Sequence, residues 1–103
     1  MGDNLIVVYV TCPRDQAERL AETLVESKLT ACVNILPAHS VYFWQGKLCR
    51  DDEALLIIKS RLAIFDVLAD KIKAIHPYEV PEIVAIKAEA VDINYWTWVK
   101  EQT

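Results

Sequence analysis

The segment His76-Pro77-Tyr78-Glu79-Val80-Pro81-Glu82 places an imidazole, a phenol and two carboxylates within seven residues. Imidazole with carboxylates suits borderline divalent cations such as copper or zinc. His76, Glu79 and Glu82 are therefore candidate metal ligands, provided the loop converges them. The two prolines donate no backbone hydrogen bond and bias the preceding residues away from helix, so the segment is a stiff, non-helical connection. The alternative is structural: His76 caps a helix C-terminus, where a cationic imidazole is favoured, and Glu79 and Glu82 are solvated or paired with lysines. Cys12 stands at a strand end beside a helix N-terminus, a place that lowers a thiol's pKa and suits a soft ligand or reactive thiol. A cysteine there is otherwise a small buried hydrophobe. Cys32, within an apolar strand, is expected in the core, and Cys49 on an exposed hairpin.

Catalytic signatures are missing. The chain has two histidines, His39 and His76, and no G-x-S-x-G elbow, H-E-x-x-H pair or glycine-rich phosphate loop. Tyr78 and Lys59 are polar groups suited to a cleft, without a nucleophile–base pair between them, so no enzyme is expected. Tyr42, Phe43, Trp44, Trp96 and Trp98 either line a ligand pocket or pack a core or subunit contact, where aromatics dominate the energetics.

These residues must be positioned by elements that the hydrophobic pattern defines. Leu5 to Val10 is a continuous β-branched and aromatic run, as in a central strand buried on both faces. Thr11-Cys12-Pro13 offers a capping hydroxyl and a proline suited to a first helical turn. Ala17, Leu20, Ala21, Leu24 and Val25 follow at helical spacing, with Arg14, Glu18, Arg19, Glu22 and Glu26 opposite. A second strand, Ala31 to Leu36, is broken at Pro37 and resumes over Ser40 to Trp44. Gln45-Gly46-Lys47 is a turn in which Gly46 can take positive φ. A third strand, Glu53 to Ser60, returns, with Arg50-Asp51-Asp52 as a bulge or exposed portion.

Leu62, Phe65, Leu68, Ala69, Ile72 and Ile75 mark a second amphipathic helix that stops before Pro77. Glu82 to Ala90 reads as a fourth strand, and Asp92 caps a short last helix carrying Tyr95, Trp96, Trp98 and Val99. The order is βαββαβ plus a terminal helix, an α+β, ferredoxin-like sandwich with a long β2–β3 hairpin and two helices on one sheet face. Its other face is apolar and needs cover, which points to an oligomer with the hairpin arm reaching onto a neighbour. The alternative is that the terminal helix covers that face alone.

Bulk properties bound the remainder. At 103 residues the chain is expected to be one domain, residues 1–103, and its 53% hydrophobic content argues against disorder. A net charge of −4 without a lysine or arginine run disfavours nucleic-acid binding. Three cysteines without C-x-x-C spacing fit a reduced cytosol better than a disulfide framework. Met1-Gly2-Asp3-Asn4 leads directly into a strand, so no signal peptide is expected. The longest apolar runs are of strand length, so neither is a membrane span.

Three stretches carry a family likeness: Lys28-Leu29-Thr30-Ala31-Cys32-Val33-Asn34-Ile35, Ser40-Val41-Tyr42-Phe43-Trp44-Gln45-Gly46-Lys47, and His76-Pro77-Tyr78-Glu79-Val80-Pro81-Glu82-Ile83. With Leu56-Ile57-Ile58-Lys59-Ser60 and Tyr95-Trp96-Thr97-Trp98-Val99, in that order, the chain closely resembles the CutA divalent-cation tolerance family. The resemblance implies a ferredoxin-like homotrimer with hairpin arms pairing between subunits, cytoplasmic residence, and a role in tolerance to copper(II) and other divalent cations. It also implies an architecture similar to PII signalling proteins, whose ligands bind in clefts between subunits. For the metal, it implies a strand-end cysteine and histidines beside the Pro-Tyr motif. His76 matches one histidine, Ile75 stands at the preceding position, and Val10 at the cysteine position with Cys12 two residues later. His76, Cys12, Glu79 and Glu82 are then the expected ligands. A small-molecule binding or signalling trimer, or a purely structural trimer, are the other readings.

Overall fold

A computed structural model describes residues 2–103. The elements are β1 (Leu5–Pro13), α1 (Ala17–Glu26), β2 (Cys32–Trp44), β3 (Lys47–Arg61), α2 (Phe65–Ile75), β4 (Val84–Lys87) and α3 (Ile93–Gln102), and 3₁₀ turns at Arg14–Gln16 and Leu62–Ile64 lead into α1 and α2. The four strands form one antiparallel sheet in the order β2-β3-β1-β4. This is the ferredoxin-like α+β arrangement expected from the pattern.

Alternation along the strands decides which side chains meet the helices. Ile6, Val8, Val10 and Cys12 of β1 and Ala54, Leu56 and Ile58 of β3 pack with Leu20 and Leu24 of α1 and Leu68 and Ile72 of α2. Each large side chain in this cluster contributes roughly 1.5–3 kcal/mol by leaving water. α1 ends with Lys28 in left-handed backbone (φ 62°), its N–H bonded to the Val25 carbonyl and that of Leu29 to the Leu24 carbonyl. That is a Schellman cap built on lysine instead of glycine.

Several elements depart from the expected bounds. β2 runs unbroken through Pro37, which pairs with Ala54. β2 is the sheet edge, where a residue without N–H can sit with its missing donor facing outward. Arg50-Asp51-Asp52 is no bulge: the three residues pair in regular register with Val41, Ser40 and His39. Thr11-Cys12-Pro13 belongs to β1, not to a helix start, because its register with β3 continues to Pro13↔Glu53. No side-chain cap is found at that turn. β4 is confined to Val84–Lys87, since its ladder with β1 covers only Ile6 to Tyr9. The last helix starts as expected, with Asp92 accepting from the N–H groups of Asn94 and Tyr95.

The second sheet face is largely bare. By register it carries Val7 and Tyr9 (β1), Leu36 (β2), Leu55 and Ile57 (β3), and Val84 and Ile86 (β4). Leu36, Val84 and Ile86 are 40–50% exposed. α3 shields only one end, where Val99 packs with Leu5, Ala31, Ala88, Tyr95 and Trp96. Beyond β1, residues 39–44 and 47–52 pair in the sheet only with each other, as a two-stranded arm. Its turn is of the two-residue type with both central residues at positive φ, Gln45 at 51° and Gly46 at 78°. Val41, Phe43 and Leu48 are 47–73% exposed on that arm. A ribbon of two strands is marginal in water by itself.

The chain ends are tied by Arg61, whose guanidinium donates to Asp3 Oδ2 (2.8 Å), Thr103 Oγ1 (2.8 Å) and the Thr103 carbonyl (3.2 Å). Burial raises the Asp3 carboxyl, but hydrogen bonds from the Ala63 N–H, Arg61 and the Asn4 N–H outweigh it and hold the group below its ordinary value. A lowered folded-state value means stability that is present above the unfolded-state value, about 3.9, and lost as pH falls through the folded one. Asp3→Asn should therefore cost about 1–2 kcal/mol at pH 7 and show a smaller loss on acidification. Urea midpoints at pH 7 and pH 3 check this; equal acid sensitivity of both proteins would contradict it.

Candidate functional site

Where the arm leaves the sheet, a cleft of ≈ 670 Å³ opens between the hairpin and the loop after α2. Its walls include Ser40, Tyr42 and Trp44 of β2, Glu53 of β3, Thr11 of β1, and Tyr78, Glu79 and Glu82 of the loop. Ala38↔Glu53 and Ser40↔Asp51 share the register face of Leu55 and Ile57, so the cleft lies at the end of the bare sheet face.

The loop is fixed by His76. α2 ends at Ile75, and His76 turns to extended backbone (φ −82°, ψ 138°), as the following proline requires. Its ring is buried and both nitrogens are engaged: Nδ1 accepts the Tyr78 N–H (3.0 Å), and Nε2 lies 2.8 Å from the Thr11 carbonyl. A nitrogen that accepts an N–H carries no proton, so the proton sits on Nε2 and is donated to Thr11. His76 thus ties the loop to the end of β1. Tyr78 stacks at a tilt on His76, with ring centroids 4.8 Å apart. Its hydroxyl donates to Glu53 Oε2 at 2.6 Å. Burial, then the hydrogen bond and charge of Glu53, push the Tyr78 phenol well above the usual phenol range, so it stays a donor. On the arm, the Tyr42 hydroxyl donates to Asp51, and that bond pushes the Tyr42 phenol up to about 12.

The four expected ligands are distributed unevenly. Glu79 and Glu82 are exposed and line the cleft. His76 lies beneath it, and the only lone pair it could offer a cation, at Nδ1, is occupied by the Tyr78 N–H. Cys12 faces the helices, on the opposite side of the sheet, fully buried with Ala17 and Leu20. Burial first, then the charges of Glu53 and Asp15, push its thiol up to about 11, the reverse of the lowering expected at a helix start. The reason is that the thiol is sealed in the core cluster, with the acids Glu53 and Asp15 as its charged neighbours. Among the described residues, no group of three histidine, cysteine or acidic side chains within the chain is placed to hold a metal ion.

Other expectations divide in the same way. Tyr42 and Trp44 line the cleft, whereas Trp96, on α3, packs against the cluster of Leu5, Ala31 and Val99. Cys32 is half-buried rather than in the core, because its register with Lys59 turns it to the bare face. Lys59 bonds Asn34 on that face and takes no part in the cleft. Glu53 was not singled out from the sequence. The available signal is its position in the β3 alternation, two residues before Leu55 and four before Ile57, which puts an acid on an apolar face.

A family profile described as "CutA1 divalent ion tolerance protein" matches residues 6–102. The chain is 47% identical over 100 residues to the rice protein named "Protein CutA 1, chloroplastic", covering 95% of this chain and 56% of that one. It is 43% identical over 99 residues to the Thermus thermophilus "Divalent-cation tolerance protein CutA", covering 94% and 96%. The chain thus spans little more than half the length of the rice relative and nearly all of the bacterial one. The crystal structure of rice CutA1 superposes with a TM-score of 0.93 at 45% identity, over 97% of this chain and 94% of that one. The apo structure titled "PII-like protein CutA" from Nostoc sp. PCC 7120 gives 0.91 at 36% identity, over 95% and 96%. Among the described residues no helix is long and apolar enough to cross a membrane. With a family profile over nearly its whole length and the same fold in those structures, the chain belongs to the CutA1 divalent ion tolerance family.

Proposed function

We propose that this chain serves divalent-cation tolerance, without catalysing a reaction, as a cytoplasmic homotrimer of one-domain subunits (residues 1–103) whose clefts bind the ion. The observation that carries this reading is the charge of the cleft. Glu53, Glu79 and Glu82 line it, and its described walls include no lysine or arginine. The net charge of −4 adds attraction at longer range. Among the described residues one chain offers no three-donor set, so groups across a subunit boundary complete the coordination. The bare sheet face and unsupported arm support such an assembly, and its number follows the resemblance. Copper(II) is the ion of first choice, being the tightest binder to nitrogen and oxygen donors among the first-row divalent ions. Glu79 and Glu82 are its nearest available donors, and His76 can join only by releasing the Tyr78 N–H.

Calorimetric titration of copper(II) into the native protein, Glu79→Gln/Glu82→Gln and His76→Ala tests this. The carboxylate variant should bind at least tenfold more weakly and His76→Ala less than threefold. Equal affinity of native protein and carboxylate variant would remove the carboxylates from the account. A second reading is favoured by the size of the cleft: ≈ 670 Å³ lies within the roughly 300–1,000 Å³ of small-molecule sites. In that reading the trimer is a PII-like binding or signalling module and metal uptake is incidental.

A further inference from the structure

The walls of the cleft hold more than charge. Tyr42, Trp44 and Tyr78 bring three aromatic rings to the same space as Glu53, Glu79 and Glu82. Glu53 is the informative member. It is 4% exposed, yet among the described residues its side chain receives one hydrogen bond, from the Tyr78 hydroxyl to Oε2. A carboxylate can accept roughly four, and among the described residues no side-chain oxygen is both sealed from solvent and without a partner, so the remaining capacity of Glu53 opens to the cleft it lines. Arg14 does not fill it: its Nε turns to the backbone carbonyl of Glu53 at 3.4 Å. The second carboxylate oxygen is therefore free to accept from a donor inside the cleft.

Size and wall chemistry narrow what that donor belongs to. An ion with six waters fills about 180 Å³, at about 30 Å³ per water, against the ≈ 670 Å³ present. It would also leave the three rings unused. A cationic nitrogen on a hydrocarbon frame uses both kinds of wall. Its N–H groups bond the carboxylates, and its charge and methylenes rest on ring faces. Phosphates and carboxylates are repelled by the same three acids.

We propose that the cleft is a receptor for an organic cation, a linear alkylamine with two or three ammonium groups, bound between Glu53 at the buried end and Glu79 and Glu82 at the mouth, with Trp44 and Tyr78 as walls. This rests on the small-molecule reading above and names its ligand class.

The test is calorimetric titration of the 103-residue chain with spermidine at 150 mM NaCl, with copper(II) titrated in parallel. Saturable binding of one molecule per chain is expected. Trp44→Leu and Glu53→Gln should each weaken it tenfold or more, and the exposed Glu79→Gln threefold or more, with native circular dichroism and assembly retained. Should Glu53→Gln fail to fold, Trp44→Leu and Glu79→Gln decide alone. No saturable binding, or binding unchanged in both of those variants, overturns the proposal. Carboxylate-dependent copper(II) binding without spermidine binding overturns it while leaving the ion reading intact. Spermidine binding without copper(II) binding supports it and removes the ion reading.

Discussion

On the proposed trimeric reading, Ile86→Glu should give a folded monomer and the native chain a trimer. Ile86 lies on edge strand β4 and is 50% exposed in the single chain, so the substitution removes little from the fold itself. It shares the bare face with Val7, its register partner, and with Val84, two positions away on β4. In a trimer closed over that face, the glutamate would be buried without a partner in every subunit. An uncompensated buried charge costs about 3–5 kcal/mol, and each 1.4 kcal/mol is about tenfold in an equilibrium constant. Repeated at each symmetric contact, that exceeds what a micromolar solution can offset. Light scattering should give the native protein three times the 11.7 kDa chain mass and the variant a single chain mass. Val67→Glu is the control, on α2 and 58% exposed away from the sheet face, and should leave assembly unchanged. A trimer of Ile86→Glu would place the interface elsewhere.

The same substitution couples assembly to the cleft, because the cleft opens at one end of that face. Loss of the trimer should weaken cleft ligands even though Ile86 is not among the described residues of its lining. The arm is exposed to the same dependence. Phe43 is 73% exposed and Val41 58%, and in the proposed trimer a neighbouring subunit would offset the ordering of a ribbon two strands wide.

What the sequence made legible follows from what each signal measures. Helical spacing and the β-branched runs of β1 and β3 are local patterns, and these elements appear in the expected order, though β1 extends to Pro13, β3 spans Lys47–Arg61 and the second helix begins as a 3₁₀ turn at Leu62–Ile64. Pro37 misled because its effect depends on whether β2 is an edge, a property of sheet order rather than of the chain nearby. Arg50-Asp51-Asp52 looked unfit for a strand because strands in a core seldom carry three charges; on a projecting arm they are solvated, and Asp51 and Asp52 bond Tyr42 and His39 across the ladder. Cys12 and His76 were assessed by neighbours in sequence, whereas their state is set by partners far away: a core cluster for the thiol, and Thr11, 65 positions earlier, for the imidazole. Glu53 escaped notice for the opposite reason. As the third acid of Asp51-Asp52-Glu53 it reads as part of an exposed polar run, whereas in the fold it is buried and bonded by Tyr78 of the loop.

His76→Ala should destabilise the protein by about 2–4 kcal/mol while leaving metal uptake nearly intact, which separates the two roles sequence alone offers this residue. Removing the ring withdraws the donor to the Thr11 carbonyl and the acceptor for the Tyr78 N–H together. Each buried group left without a partner costs about 1–3 kcal/mol. The contact with the Tyr78 ring goes as well, and with it the support that aims the Tyr78 hydroxyl at Glu53. Water entering the space recovers part of this, which is why the upper limit is not the sum. Urea unfolding at fixed protein concentration measures the effect, since assembly makes apparent stability depend on concentration. A shift below about 0.5 kcal/mol, the range of ordinary surface substitutions, would mean the ring does not hold the loop. A large loss of copper(II) affinity at native stability would instead make the imidazole a ligand. Because the ring's nitrogens are already spent on Thr11 and Tyr78, the geometry places the cost in the fold: the histidine ties the loop to β1, and on the proposed reading the exposed carboxylates, not the imidazole, would meet the cation.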